Sequence, residues 1–149
     1  MALEEIKTMF AGKWKLDRSE NFDEFLKEMG VNVLLRKMAE SSRPEQVIEV
    51  KDGQIRISTK TGLSNQDDVF DLGKESETIS HLDTKSKHLL LVYPVKVKVV
   101  YSDGRMVVTS RPVGSDLKPQ RICRELIQDE MVMTVDVGDI ICKRIFKRV

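Results

Sequence analysis

Apolar and polar positions alternate most clearly in the last quarter of the chain. Arg124-Glu125-Leu126-Ile127, Met131 to Val137 and Ile140 to Phe146 are three short runs rich in β-branched residues. Gln128-Asp129-Glu130 and Gly138-Asp139 separate them, which predicts an antiparallel three-strand meander. Earlier, Phe10 to Asp17 sets Trp14 and Leu16 against Lys13 and Lys15, a half-buried first strand. Asn21 and Glu24 then stand in capping-box register, and Phe22, Phe25, Leu26 and Met29 fall on one helical stripe that Gly30 ends. A second short helix is expected from Asn32 through Glu40, stopped by Ser41-Ser42-Arg43-Pro44.

From Glu45 onward the pattern is strand-like. Runs flanking Lys51-Asp52-Gly53 and Asp103-Gly104 predict hairpins, and a turn over Thr61 to Gln66 leads to a strand through Phe70-Asp71-Leu72, closed by Gly73. A loop covers residues 114–119. Between Lys74 and Lys96 the pattern is least regular: His88 to Tyr93 reads as a strand, and Pro94 is expected to interrupt any continuation to Val97. One strand, a helix pair and then eight or nine strands in hairpin order fit a closed or nearly closed up-and-down barrel, which removes exposed sheet edges, with the helices over one mouth.

Alternation puts Arg144 on the same face as Cys142 and Phe146, while Lys143, Ile145 and Lys147 share the opposite, wet face. A desolvated cation among apolar neighbours needs a partner, either a carboxylate of the protein or a ligand. If Arg124 faces inward as well, Cys123 faces out and Cys142 in, so a disulfide between them is geometrically awkward.

The charge balance narrows the function. With 25 basic and 24 acidic residues among 149, a net charge of +1 argues against a dedicated nucleic-acid binder. The helix pair has no basic recognition face, which argues against a DNA-reading helix-turn-helix. An acidic start without a long apolar run offers no secretory signal, and no stretch approaches a membrane span, so cytosol is the default. His81 and His88, the two histidines, sit in neither metal-ligand nor nucleophile–base spacing, so the sequence offers no catalytic constellation. A barrel filled by its own side chains, acting as an interaction module without ligand, stays open on these grounds.

Gly12-Lys-Trp14-Lys-Leu16 followed by Asn21-Phe22-Asp23-Glu-Phe25-Leu26-Lys-Glu-Met29 resembles the N-terminal motif of the intracellular fatty-acid-binding protein family, the cytosolic lipid-binding β-clams of the calycin superfamily. The resemblance continues through Arg36, Pro44, Asp52-Gly53, Phe70-Asp71-Leu72-Gly73 and Arg124-Glu125-Leu126 to Lys143-Arg144-Ile145-Phe146. It implies one mainly β domain over residues 1–149: a ten-stranded antiparallel β-clam with a helical lid at about 21–41. The implied activity is non-covalent carriage of a long-chain fatty acid as cargo, without cofactor, metal or catalysis. Arg124 and Arg144 fall on the family's two carboxylate-binding arginines. Phe146 falls where many members have a tyrosine, which removes a hydroxyl donor, although intestinal-type members look alike here. A retinoid or bile acid is the alternative cargo.

Candidate cavity-lining residues are Phe22, Phe25, Met29, Leu63, Ile122, Met133, Val135, Cys142 and Phe146; for most of them ordinary core packing is an equal reading. Leu63 replaces a phenylalanine often found at the portal turn. The region within 74–96 is longer than the family pattern, and a few extra residues precede Phe10. The resemblance also implies a cytoplasmic monomer, with nuclear entry in some members. The lid would touch anionic membranes through Lys27, Arg36 and Lys37, placed on or near its outer face.

Overall fold

The computed structural model describes residues 2–61, 65–82, 91–114 and 118–149, with 78–82 and 91–94 described by backbone alone. The chain opens with α1 (Ala2–Phe10) and β1 (Gly12–Glu20), followed by α2 (Phe22–Glu28) and α3 (Val33–Ser41). Then come β2 (Glu45–Lys51), β3 (Gln54–Lys60), β4 (Asn65–Asp71), β5 (Ser76–Leu82) and β6 (Leu91–Ser102). β7 (Arg105–Pro112), β8 (Gln120–Ile127), β9 (Glu130–Val137) and β10 (Ile140–Arg148) complete the chain. All ten strands form one antiparallel sheet in the order β4-β3-β2-β1-β10-β9-β8-β7-β6-β5, so the first and last strands pair. β4 and β5 lie at the two ends of that order, and Gly73 crosses the seam by donating its N–H to the Val99 carbonyl at 2.8 Å. The result is a nearly closed ten-stranded barrel.

Turn chemistry fixes the register. Asp52 and Gly53 (φ 54° and 75°) join β2 to β3, and Asp103 and Gly104 (φ 51° and 77°) join β6 to β7. Both central residues with positive φ make the turn whose twist matches a hairpin. Pro94 does not break β6: β7 ends opposite Val95, so the strand has only β5 beside it at Pro94, and a residue without an N–H is tolerated at such an edge. Of the expected strand at His88 to Tyr93, residues 91–93 belong to β6, and 88–90 lie outside the described residues, as do 115–117 of the expected loop.

The lid helices are capped differently from the expected pattern. Asn21 is left-handed (φ 61°) and makes no side-chain cap; its amide instead donates to the Ile141 carbonyl at 3.0 Å, tying the lid's entrance to β10. Asn32 does cap α3, accepting from the Leu35 N–H at 3.0 Å. After α2, the Val31 and Gly30 amides bond back to Leu26 and Lys27, with Gly30 left-handed (φ 83°). Arg36 is not on the outer face. Half-buried, it binds Asp23 at 2.9 Å and the Val31 carbonyl at 2.7 Å, fastening α3 to α2. Lys118 fastens the lid to the loop before β8 through Glu28 at 2.7 Å.

A third helix was not expected from the sequence, where Phe10 reads as the start of the first strand. Leu3, Ile6 and Phe10 follow helical spacing over a short run, and Ile6 and Phe10 are wholly buried at the barrel end away from the lid. The Trp14 indole donates to the Phe10 carbonyl at 2.8 Å. Arg148 donates to the Ala11 and Met9 carbonyls at 2.8 and 3.0 Å, satisfying the helix's last acceptors, while its guanidinium lies 4.1 Å over the Trp14 ring. Gly12 is needed here because its φ of 129° is a backbone conformation that L side chains rarely adopt; a Cβ would also stand 2.8 Å from Arg148 Nη1 and displace it.

The outer face of the final meander is also drier than alternation suggests. Ile145, Cys123 and Val132 are buried there, with Arg18 lying opposite Ile145 and binding both carboxylate oxygens of Glu130 at 2.9 and 3.0 Å. Cys123 therefore faces outward yet is buried, and both cysteines are free thiols.

Because Phe10 plugs the barrel end, Phe10→Ala should lower the unfolding free energy by about 3–5 kcal/mol, read by urea denaturation. A change under about 1 kcal/mol would mean that α1 contributes little to the core.

Candidate functional site

β8, β9 and β10 pair in continuous register, so their inward residues form lateral rows. Arg124 stands opposite Met133, and Met133 opposite Arg144. Two strand spacings separate the arginines, about 10 Å between their Cα atoms. The neighbouring rows are apolar: Ile122, Val135 and Cys142 on one side, Leu126, Met131 and Phe146 on the other. Two guanidinium groups thus enter the interior between rows of apolar side chains.

Their environments differ. Arg124 is 5% exposed and lines a cavity of about 210 Å³ with Gln46, Asp68, Ile122 and Met133. One terminal nitrogen makes a long hydrogen bond, 3.4 Å, to Gln46 Oε1, and its buried Nε has no partner. Burial lowers its pKa to about 10, an effect that the Asp68 charge partly offsets. Asp68 in turn accepts from Gln66 at 3.2 Å, and Gln46 donates to Thr59 at 3.4 Å. The question of what neutralises an inward arginine thus has a first answer within the protein: a carboxylate in the same cavity.

Arg144 is half-buried and opens toward a different space, a cleft of about 370 Å³ beneath the lid lined by Phe22, Asp23, Ala39 and Arg43. Its guanidinium carbon lies 3.8 Å from the Phe22 ring centre, and its buried Nε has no partner. Burial lowers its pKa to about 10, an effect that Cys142 partly offsets and to which repulsion by Arg43 adds a smaller share. The two arginines share a row but line separate cavities.

The other candidate residues divide. Ile122 and Met133 line the Arg124 cavity, and Phe22 lines the Arg144 cleft, stacked on the half-buried Phe25 with ring centres 6.1 Å apart. Val135, Cys142, Phe146 and Met29 are packed into the core instead of lining either of these two cavities. Met29 meets Gln120 through its sulfur at 3.5 Å. Leu63 lies outside the described residues.

Gln46, Thr59, Gln66 and Asp68 were missed by the sequence reading. A signal existed for all four. Gln46 is in phase with buried Ile48, Thr59 with buried Ile57, and Gln66 and Asp68 with buried Phe70, so each is a polar residue at an inward position.

Comparison with known proteins places this geometry. The family described as "Lipocalin / cytosolic fatty-acid binding protein family" matches residues 11–149, leaving α1 outside the match. Cellular retinoic acid-binding protein 2 of Rattus norvegicus is 32% identical over 144 residues, covering 93% of this chain and 97% of that protein. Sodium/calcium exchanger regulatory protein 1 of Doryteuthis pealeii is 32% identical over 139 residues, covering 93% and 96%. Among solved structures, the REP1-NXSQ fatty acid transporter superposes with a TM-score of 0.78 at 31% identity, over 93% of this chain and 95% of that one. The Schistosoma mansoni fatty acid binding protein in complex with arachidonic acid superposes with a TM-score of 0.79 at 25% identity, over 100% and 99%.

A base whose folded pKa is lowered destabilises the fold while it remains charged, and that cost fades only as pH rises through about 10. Arg144→Met, which removes the buried charge and fills its space, should therefore raise the unfolding free energy of the ligand-free protein by about 1–2 kcal/mol at neutral pH. Urea denaturation reads this; a loss of stability would mean that the Phe22 contact outweighs the desolvation.

Proposed function

Because the chain belongs to the lipocalin / cytosolic fatty-acid binding protein family, we propose that it carries a long-chain fatty acid non-covalently within its barrel, with no chemical step. The observation that carries this reading is the row Arg124–Met133–Arg144: two guanidinium groups turned into the barrel, each with a buried Nε that has no partner. A guanidinium offers up to five donors in a planar fork suited to a carboxylate. Such a charge-assisted bond contributes about 1.5–3 kcal/mol net. Burying about fifteen methylenes at ~0.8 kcal/mol each contributes about 12 kcal/mol gross, much of it offset by lost freedom. The tail sets most of the affinity, and the arginines set orientation and head-group choice. Phe146 is wholly buried and offers no hydroxyl, so the head group is held by arginines, amides and water.

A retinoid acid is the second reading, favoured by the relatives whose names carry retinoic acid. Two inward arginines suit either acid and disfavour an alcohol or aldehyde. The same reading makes the protein a cytosolic monomer that meets anionic membranes at its lid. In support, α3 exposes Val33 and Leu34 (57% and 67%) close to exposed Lys37.

Titration of wild type, Arg124→Gln and Arg144→Gln with a fluorescent fatty acid, followed by competition with retinoic acid, tests the site. Each substitution should weaken acid binding about tenfold to a hundredfold. Unchanged affinity in both would move the head group elsewhere. If the lid is the membrane contact, transfer of that fatty acid to anionic vesicles should slow as salt is raised. Salt-independent transfer would sink the electrostatic part of the proposal.

A further inference from the structure

β4 turns Gln66, Asp68 and Phe70 toward the interior, and the middle position of that face is an acid. Among the residues lining the cavity of about 210 Å³, Arg124 and Asp68 are the charged ones. They approach it from opposite parts of the barrel, Arg124 on β8 and Asp68 on β4. The remaining polar wall is uncharged: Gln46, Thr59, Gln66, Ser110 and Gln120. Gln66 holds the Asp68 carboxylate through contacts at 3.2 and 3.5 Å, which orients it.

This pole is therefore dipolar, not simply cationic. A bare carboxylate that came to Arg124 would bring a second negative charge into a confined space that already holds one. Two carboxylates sharing a site disfavour each other, and more so where water is scarce. Asp68 as a carboxylate is acceptor-only, so it turns from repulsive to attractive only toward a ligand that brings a donor. A hydroxyl beside the ligand's carboxylate supplies it. The arginine then keeps its acceptor, the aspartate gains a donor, and the neighbouring amides and hydroxyls can serve either partner.

We propose that Asp68 determines cargo specificity: the cavity takes hydrophobic acids that carry a hydroxyl next to the carboxylate, the carboxylate accepting from Arg124 and the hydroxyl donating to Asp68, in preference to the unsubstituted acid. This rests on the reading of the barrel as a carrier of hydrophobic acids and narrows it. It also assigns Asp68 an effect opposite to that of Arg124. Removing its charge strengthens binding of a plain acid, whereas removing Arg124 weakens binding of both acids.

The test is calorimetric titration of wild type, Asp68→Asn and Asp68→Leu with hexadecanoic acid and with 2-hydroxyhexadecanoic acid. Wild type should bind the hydroxy acid about tenfold or more tightly than the plain acid. In Asp68→Leu, which loses both the charge and the acceptor, that preference should vanish, with the plain acid gaining affinity. Asp68→Asn keeps the shape and removes the charge, so it should also bind the plain acid more tightly; circular dichroism confirms the fold of each variant, and Asp68→Asn carries the test alone if the leucine variant does not fold. Equal affinity of wild type for the two acids, or a preference that neither substitution moves, overturns the role of Asp68 and leaves the acid-carrier reading standing. Failure of wild type to bind either acid overturns both.

Discussion

A guanidinium held inside a barrel is the constraint on which the interior depends. Arg124 is almost completely removed from water, and its hydrogen bonds satisfy only part of the fork. Burying a charge this way is costly unless charges or dipoles compensate it. The barrel meets that cost from the strands across the cavity: Asp68 on β4 supplies the opposite charge, and Gln46 on β2 supplies an acceptor. The polar wall of the cavity is therefore a consequence of the arginine, and the arginine's usefulness to a ligand is a consequence of its incomplete satisfaction.

Such an interior survives only if both barrel ends are closed without relying on it. At one end, α1 inserts Ile6 and Phe10, and Arg148 finishes the helix's carbonyls while resting on Trp14. At the other, α2 and α3 are clasped by Arg36 and tied down through Asn21 and Lys118. The first closure is hydrocarbon packing on a wholly buried phenylalanine. The second adds polar fasteners and two half-buried aromatics to the buried Leu26 and Met29, and α3 buries no residue, so the lid end is the more loosely held of the two. Arg144 sits under that lid, stacked on Phe22, so its access to a ligand is coupled to where α2 rests.

Much of the architecture was legible because barrel strands obey strict local rules. The Asp-Gly turns, the alternation in the final meander and the apolar stripe of α2 each follow from sterics acting over a few residues. The capping role expected of Asn21 failed because the chain enters α2 through a left-handed Asn21, whose side-chain amide is turned to donate to the Ile141 carbonyl. α1 was missed because its apolar spacing spans barely two turns, which carries little weight until the barrel end that receives Ile6 and Phe10 is in place. Pro94 reads as a strand breaker until β7 is seen to end beside it.

For the site, the sequence by itself determined that Arg144 shares a face with Cys142 and Phe146, since side chains alternate along a strand; the pairing of β8, β9 and β10 put Arg124 in the same inward row. The two stand in one row, two strand spacings apart with Met133 of β9 between them, because tight turns join the three strands in continuous register. What only the tertiary structure decided is the company each arginine keeps. Asp68 lies 56 positions before Arg124 in the chain and meets it because β4 and β8 curve around one cavity. Arg144 meets the Phe22 ring because the lid folds over it, and the Asp23 that shares its cleft is engaged by Arg36. Periodicity reports which face a side chain takes, but charge acts through space, and only the closed barrel sets those distances.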